Sequence, residues 1–276
     1  MRVAAVQLNS TDDKERNLEV AERLIRAAAQ DGAELACLPE KWNLLGGSEA
    51  LLSGAEPLDG PSLSAARGWA SELGIRLLAG SVAERVEGQE RLFNTSVLIG
   101  PGGDVVAAYR KIHMFDVEVG GVTYRESEHE QGGEEIVSAP LGEVELGLTV
   151  CYDLRFPELY RILAVRGARI VNVTSAFTAV TGRAHWEVLL RARAIENQVF
   201  VIAAGQIGEA PPSYDSYGHS AIVDPWGVVL AMAPDEECFV VADLDLEAQE
   251  QVREKLPALA NRRPAAYRWP DQVEVG

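Results

Sequence analysis

The chain switches repeatedly between two hydrophobic periods, and each switch marks an element. Residues 2–9 (RVAAVQLN) carry the short-period pattern of a strand, whereas residues 14–31 (KERNLEVAERLIRAAAQD) place Leu18, Ala21, Leu24, Ile25 and Ala28 on one helical face. Thr11 or Asp12 is the expected cap of that helix and Gly32 its stop. A short buried strand, ELACLPE at 34–40, ends at Pro39-Glu40, and a second helix over about 62–73 starts at Ser62 and stops at Gly74 before the strand IRLLAGSVA. Antiparallel signals follow, with NTSVLIG (94–100) and DVVAAYRK (104–111) flanking a PGGD turn and, later, SAIVD and VVLAMA flanking DPWG. Between them the pattern is again strand, helix, strand. VELGLTV (144–150) leads through CYDLRF to the helix PELYRILAVR, with Pro157 suited to the first turn and Gly167 beyond the end. ARIVNVTSAF, a helix over about 183–197 and the strand QVFVIAAG complete the series.

The longest loop-like stretch is 117–135, polar and Gly-rich, a length associated with function or disorder. No linker, low-complexity run or internal repeat divides the sequence. The expectation is one layered α/β domain over residues 1–276.

Composition narrows the class. The chain has 276 residues, 47% hydrophobic and 24% charged, enough to bury a full core. Its net charge of -17 is spread along the chain, so it offers no basic footprint for nucleic acid and reads as a solvated, repulsive surface. No run approaches the roughly 18 apolar residues of a membrane span, and the apolar stretch at the amino terminus is too short for a signal peptide. Cys37, Cys151 and Cys238 form an odd set without a CxxC, which argues for a reducing compartment and a cytoplasmic protein. His113, His129, His185 and His219 lack zinc-site spacing, and neither GxGxxG nor GxxxxGK[ST] occurs, so neither metal nor nucleotide cofactor is expected.

Three polar residues sit in matching settings. Glu40, Lys111 and Cys151 each stand where an apolar strand pattern stops, where loops carry chemistry on a rigid scaffold. Singly, each has a plain structural reading: a rim charge for Glu40 and Lys111, a small buried hydrophobe for Cys151. Together they form a sufficient kit for amide hydrolysis. A thiol with an ordinary pKa of about 8.5 needs a base, a buried carboxylate can be that base, and an ammonium stabilises the thiolate and then an oxyanion. A Cys–His pair using His113 or His185 is the competing scheme.

The motifs LPEKW around Glu40, YRKIHMFDV around Lys111 and CYDLRFPEL around Cys151, in that order, resemble the nitrilase superfamily of carbon–nitrogen hydrolases. The resemblance runs from VAAVQLN to NRRPAAY. It implies a four-layer αββα sandwich of two mixed sheets, with Glu40, Lys111 and Cys151 as the catalytic set. The family's further glutamate matches Glu126 in YRES, and the backbone N–H of Tyr152 would share the oxyanion with Lys111. SAFTAVTGRAHWEVLLRARAIENQ (175–198) and YGHSAIVDPWG (217–227) look like the Nit branch of omega-amidases and deaminated-glutathione amidases. That implies hydrolysis of a small linear carboxylate-bearing amide to acid and ammonia through a Cys thioester. An N-carbamoyl amino acid amidohydrolase is the alternative, and a non-catalytic scaffold a more distant one.

For the substrate carboxylate the candidates are Arg155, Arg125 and Arg183, with Phe177, Thr178 and Tyr217 as pocket lining. For Arg155 a structural pair with Asp153 or Glu158 is the favoured reading, and Asn197 and Glu187 equally fit bracing roles. The family resemblance also implies a homodimer or larger assembly. Helix 183–197 and the segment after Cys151 could supply its interface, and 257–276 could form a carboxyl-terminal arm, exchanged or frayed.

Overall fold

The computed structural model describes residues 1–212 and 214–267. The amino-terminal part runs β1 (Arg2–Gln7), α1 (Lys14–Gln30), β2 (Leu35–Cys37), α2 (Ser48–Gly54), α3 (Pro61–Leu73), β3 (Arg76–Glu84), β4 (Phe93–Ile99) and β5 (Val105–Arg110). A small hairpin follows, β6 (Asp116–Val119) and β7 (Val122–Arg125), then β8 (Ser138–Leu141), β9 (Val144–Gly147), α4 (Pro157–Val165), β10 (Ala168–Ser175) and α5 (Ala179–Asn197). The chain continues through β11 (Phe200–Gly205), β12 (Ile207–Ala210), β13 (Tyr214–Tyr217), β14 (Ala221–Val223), β15 (Val229–Met232), β16 (Cys238–Asp243) and α6 (Leu246–Lys255).

Two six-stranded mixed sheets result, ordered β16-β1-β2-β3-β4-β5 and β15-β14-β11-β10-β9-β8. From β16 in one sheet and from β8 in the other, the pairings run antiparallel, parallel, parallel, antiparallel, antiparallel. The two sheets therefore share one pattern of strand pairing, although the sequence shows no internal repeat that divides the chain. The likeness lies in strand pairing, which residue-level similarity need not record.

The two-residue repeat of strand geometry, which sends consecutive side chains to opposite faces, explains the layering. Val3, Ala5, Leu35 and Cys37 face the second sheet and join Leu146, Val171 and Val201 in one apolar cluster. The alternate residues Ala4, Val6, Ala36 and Leu38 face outward onto Ala21, Ile25 and Ala28 of α1 and Leu63 and Ala66 of α3. Strands covered on both faces must be apolar throughout, which is why these runs look continuous. Leu24 and Ile25, 4% and 0% exposed, each contribute roughly 1.5–3 kcal/mol by that burial. On the second sheet α4 and α5 do the same, giving the expected αββα sandwich.

Some boundaries differ from the expectation. The cap of α1 is Asp13, whose carboxylate accepts from Arg16 N at 3.1 Å, instead of Thr11 or Asp12. Helix α5 begins at Ala179, one turn before 183, with Thr178 as its N-cap residue. The stretch 117–135 is not a plain loop: it contains most of the β6–β7 hairpin and a single 3-10 turn, Glu126–Glu128. Of the expected arm at 257–276, residues 257–267 lie on the surface and the rest is outside the described residues. Among the described residues no helix is long and apolar enough to cross a membrane.

Candidate active site

Glu40 lies three residues beyond the end of β2, and a glycine allows it to be there. Gly80 in β3 has φ +45, and a Cβ on it would sit 2.0 Å from Pro39 O, so only glycine lets the Leu38-Pro39 backbone run alongside β3 this closely. The Glu40 carboxylate is then fixed from three sides. Oε1 accepts from Asn94 Nδ2 at 2.8 Å and Lys111 Nζ at 3.2 Å, and Oε2 accepts from Ala176 N at 2.8 Å.

Lys111 directly follows β5 and is 1% exposed. Its ammonium donates to both oxygens of Glu126 at 2.8 Å, and Glu126 also accepts from Phe115 N at 2.6 Å. Burial disfavours the Lys111 cation, but Glu126, Glu40 and Cys151 outweigh it and hold its pKa well above the ordinary value. Burial likewise pushes Glu126 up, yet Lys111 and Lys41 hold it below the usual carboxylate range. At neutral pH the two are a fixed ion pair, so neither is a proton acceptor.

Cys151 does not end a strand. β9 stops at Gly147, Val150 makes one isolated bridge to Thr174, and Cys151 opens a single 3-10 turn, Cys151–Arg155, with φ +46. A non-glycine residue in that left-handed region is strained, and such strain persists only where the surroundings impose it. Asp153, fully buried, supplies the constraint. Its Oδ2 accepts from Val150 N at 2.9 Å and Tyr109 Oη at 2.7 Å, and its Oδ1 lies 2.7 Å from His113 Nδ1. Burial and the Glu40 carboxylate push the thiol pKa up while Lys111 pulls it down, leaving the neutral thiol at rest. Tyr152 sits in the first turn after Cys151, where N–H groups have no intrahelical acceptor.

Glu40, Lys111, Glu126 and Cys151 border one cavity of about 570 Å³, with Tyr124 and Tyr214 on its walls. This size and mixed lining suit a small ligand. Other expected residues fall elsewhere. Arg155, Phe177 and Thr178 line a second crevice of only about 10 Å³ that also touches Cys151 and Tyr152. Arg155 is not paired with Asp153 or Glu158, because Asp153 is already committed; its guanidinium lies over Phe177 (5.0 Å) and Tyr152 (5.9 Å) and meets His185 Nδ1 at 3.2 Å. Tyr217 borders neither space: it stacks on His219 and packs against Gly182 of α5. Arg125 borders the main cavity, whereas Arg183 borders neither. Asn197 donates to Arg193 O and Glu187 pairs with Arg191, both bracing contacts. His113 and His185 border neither space, so no Cys–His pair forms at Cys151. Among the described residues no cluster of three or more His, Cys, Asp and Glu is arranged to hold a metal.

Lys41, Asn94 and the Ala176 backbone N–H escape a reading of the sequence. Lys41 stands beside Glu40 in LPEKW, so its position was visible, but nothing in the pattern shows its direction. Asn94 lies in β4 (FNTSVLI) beside Thr95 and Ser96, and this polar run leading into the apolar VLI was the one available signal.

The arrangement brings a thiol, a carboxylate of anchored geometry and an ammonium to one cavity, groups that can serve as nucleophile, base and oxyanion donor in acyl transfer. Residues 2–254 match the carbon-nitrogen hydrolase family. The chain is 45% identical over 275 residues to the deaminated glutathione amidase of Mus musculus, covering 96% of this chain and 84% of that protein. It is 39% identical to the omega-amidase NIT2 of Homo sapiens, covering 96% of each. Its structure matches that of Saccharomyces cerevisiae Nit3, a member of branch 10 of the nitrilase superfamily, with a TM-score of 0.87, 32% identity and 97% of each chain covered. With the cavity, the fold and these likenesses in agreement, the chain belongs to the carbon–nitrogen hydrolase family and is an amidase.

Proposed function

We propose that the protein hydrolyses short linear amides that carry a carboxylate, of the kind represented by deaminated glutathione and the ω-amides of 2-oxo acids. The observation that carries this reading is the convergence of Glu40, Lys111 and Cys151 on one small cavity, with Glu126 holding Lys111 in place. Glu40 takes the thiol proton as Cys151 Sγ attacks the amide carbon. The oxyanion is met by Lys111 and the Tyr152 N–H, a type of contact typically worth about 3–4 kcal/mol of barrier. Glu40 returns the proton to the departing nitrogen, releasing ammonia or amine and leaving a thioester. It then takes a proton from water, whose oxygen attacks the thioester carbonyl, and the thiolate departs and is reprotonated. The neutral resting thiol fits this scheme, since the proton moves only as attack occurs.

The test is product formation from deaminated glutathione, 2-oxoglutaramate, an N-carbamoyl amino acid and a nitrile, with Cys151→Ala alongside. Ammonia or amine release from either of the first two, lost in the variant, supports the reading. Carbon dioxide with ammonia from the carbamoyl compound assigns the alternative activity instead. A cytoplasmic location accords with the three free cysteines. A homodimer or larger assembly accords with the exposed Val188 and Ile195 of α5 and the nearby Trp226; sedimentation as a monomer at micromolar concentration removes that part.

A further inference from the structure

Behind the catalytic residues lies a second buried ion pair that the reaction scheme does not use. Lys41, 7% exposed, borders the cavity, and its Nζ is 2.6 Å from Glu130 Oε1. Glu130 is fully buried, does not border the cavity, and has no hydrogen-bond donor on either oxygen. The contact is therefore one of charge, without hydrogen-bond alignment. Lys111 is committed to Glu126 and Glu40, whereas Lys41 donates no side-chain hydrogen bond among the described residues. Lys41 is also held in a left-handed conformation, φ +52, with its N–H on Ser81 Oγ at 3.1 Å, so its backbone position is imposed.

We propose that Lys41 is the specificity residue for the anionic end of the substrate, its ammonium taking a carboxylate from the cavity while Glu130 stands behind it as a displaceable counter-ion. This rests on the amide-hydrolysing reading above and adds the subsite that selects charge. The spacing fits. Lys111 Nζ and Lys41 Nζ lie 2.8 and 3.9 Å from the same Glu126 Oε1, so they are at most about 6.7 Å apart. A three-carbon spacer between an amide carbon and a carboxylate carbon spans roughly 5 Å at about 1.5 Å per bond. One ligand can thus present its carbonyl to Lys111 and its carboxylate to Lys41.

The charges around the pair support displacement. Burial disfavours the Lys41 cation, but Glu130, Glu126 and Glu40 keep its pKa raised, so it stays charged. Burial and Glu126 push Glu130 up to about 7, against the pull of Lys41 and Lys111. An arriving carboxylate adds negative charge beside Glu130 and raises it further, so anion binding takes up a proton there. His129, also on the cavity wall, is kept below its ordinary pKa by burial and by Lys41, and does not compete as a cation. Affinity for an anionic ligand therefore falls as pH rises through about 7, and a neutral ligand shows no such dependence.

The experiment uses two probes of equal length, glutaramate and its neutral diamide glutaramide, titrated calorimetrically into the Cys151→Ala protein, where neither is consumed. Glutaramate is expected to bind more tightly, and adding Lys41→Met should cut its affinity by about 10- to 100-fold with little change for glutaramide. Glu130→Gln, which keeps the ammonium and removes its competitor, should tighten glutaramate binding at pH 8 and flatten its pH dependence. These opposite signs separate a subsite from a structural brace, which would weaken both probes in both variants. Equal binding of the two probes, or a parallel loss for both, overturns the proposal. Because binding is read without turnover, absence of ammonia release from the wild-type protein would count against the amidase scheme alone.

Discussion

Glu126→Gln removes one charge from the site and almost nothing of its shape. Glu126 receives two donations from Lys111 at 2.8 Å and one from Phe115 N at 2.6 Å. An amide offers one oxygen for these donors and turns its NH₂ against a donor that has lost its acceptor. Removing one partner of a buried pair costs about 3–5 kcal/mol, and the lower end applies because Glu40 still faces Lys111 at 3.2 Å. For a chain of this length that is a fall of about 6 °C in Tm. Glu126 has a depressed folded pKa, so its contribution to stability is present above the ordinary carboxylate pKa and lost as pH falls through the folded value. The Tm gap between wild type and variant should therefore close on acidification.

The effect on activity follows from Lys111. On the proposed scheme, losing Glu126 draws the ammonium toward Glu40, which weakens Glu40 as base and misplaces the oxyanion donor, and a lost donor of this kind lowers kcat by about 10²–10³-fold. The pKa of Lys111 is held up against burial chiefly by Glu126, so the alkaline limb of kcat should move to lower pH in the variant. Steady-state product release between pH 6 and 10, with thermal unfolding alongside, tests both. A variant that loses Tm yet keeps kcat within threefold and an unmoved alkaline limb would refute the positioning role and leave Glu126 a structural ion-pair partner only.

Three further outcomes are expected. At Cys151, φ +46 strains any side chain, so Cys151→Gly should unfold at a temperature about 2–4 °C above Cys151→Ala, both lacking activity; equal midpoints would show that the turn is not strained. Asn94→Ala frees Glu40 Oε1 of its 2.8 Å donor, so kcat should drop by about 10-fold or more with binding of an unreactive ligand retained, as read by comparing kcat with Kd. A Cβ at Gly182 would lie 2.2 Å from Tyr217 Cγ, so Gly182→Ala must push α5 from β13 and should cost about 1–3 kcal/mol in urea unfolding; an unchanged midpoint would mean that the helix shifts freely.

Much of the architecture was readable one residue at a time. Periodicity identified α1, α3, α4 and most of the central strands, because burial on one face or both writes a local pattern into consecutive residues. Short edge elements such as α2, β12 and β13 left no such mark, since few of their side chains enter the main core. The three chemical residues were readable because each breaks an apolar run, and the order of their motifs assigned the family.

Contact between distant segments was not readable. Glu40 meets Lys111 across 71 positions and Ala176 across 136, distances over which no local pattern extends. The candidate Arg155 went to a narrow crevice and Tyr217 to the packing of α5, while Lys41, adjacent to Glu40 in sequence, came to border the cavity. The same division holds for protonation. Residue type alone supplies a thiol, two ammoniums and three carboxylates, but only burial and the distances among Glu40, Lys41, Lys111, Glu126, Glu130 and Cys151 decide which of them hold a charge, because desolvation and Coulomb interaction depend on what surrounds a group in space.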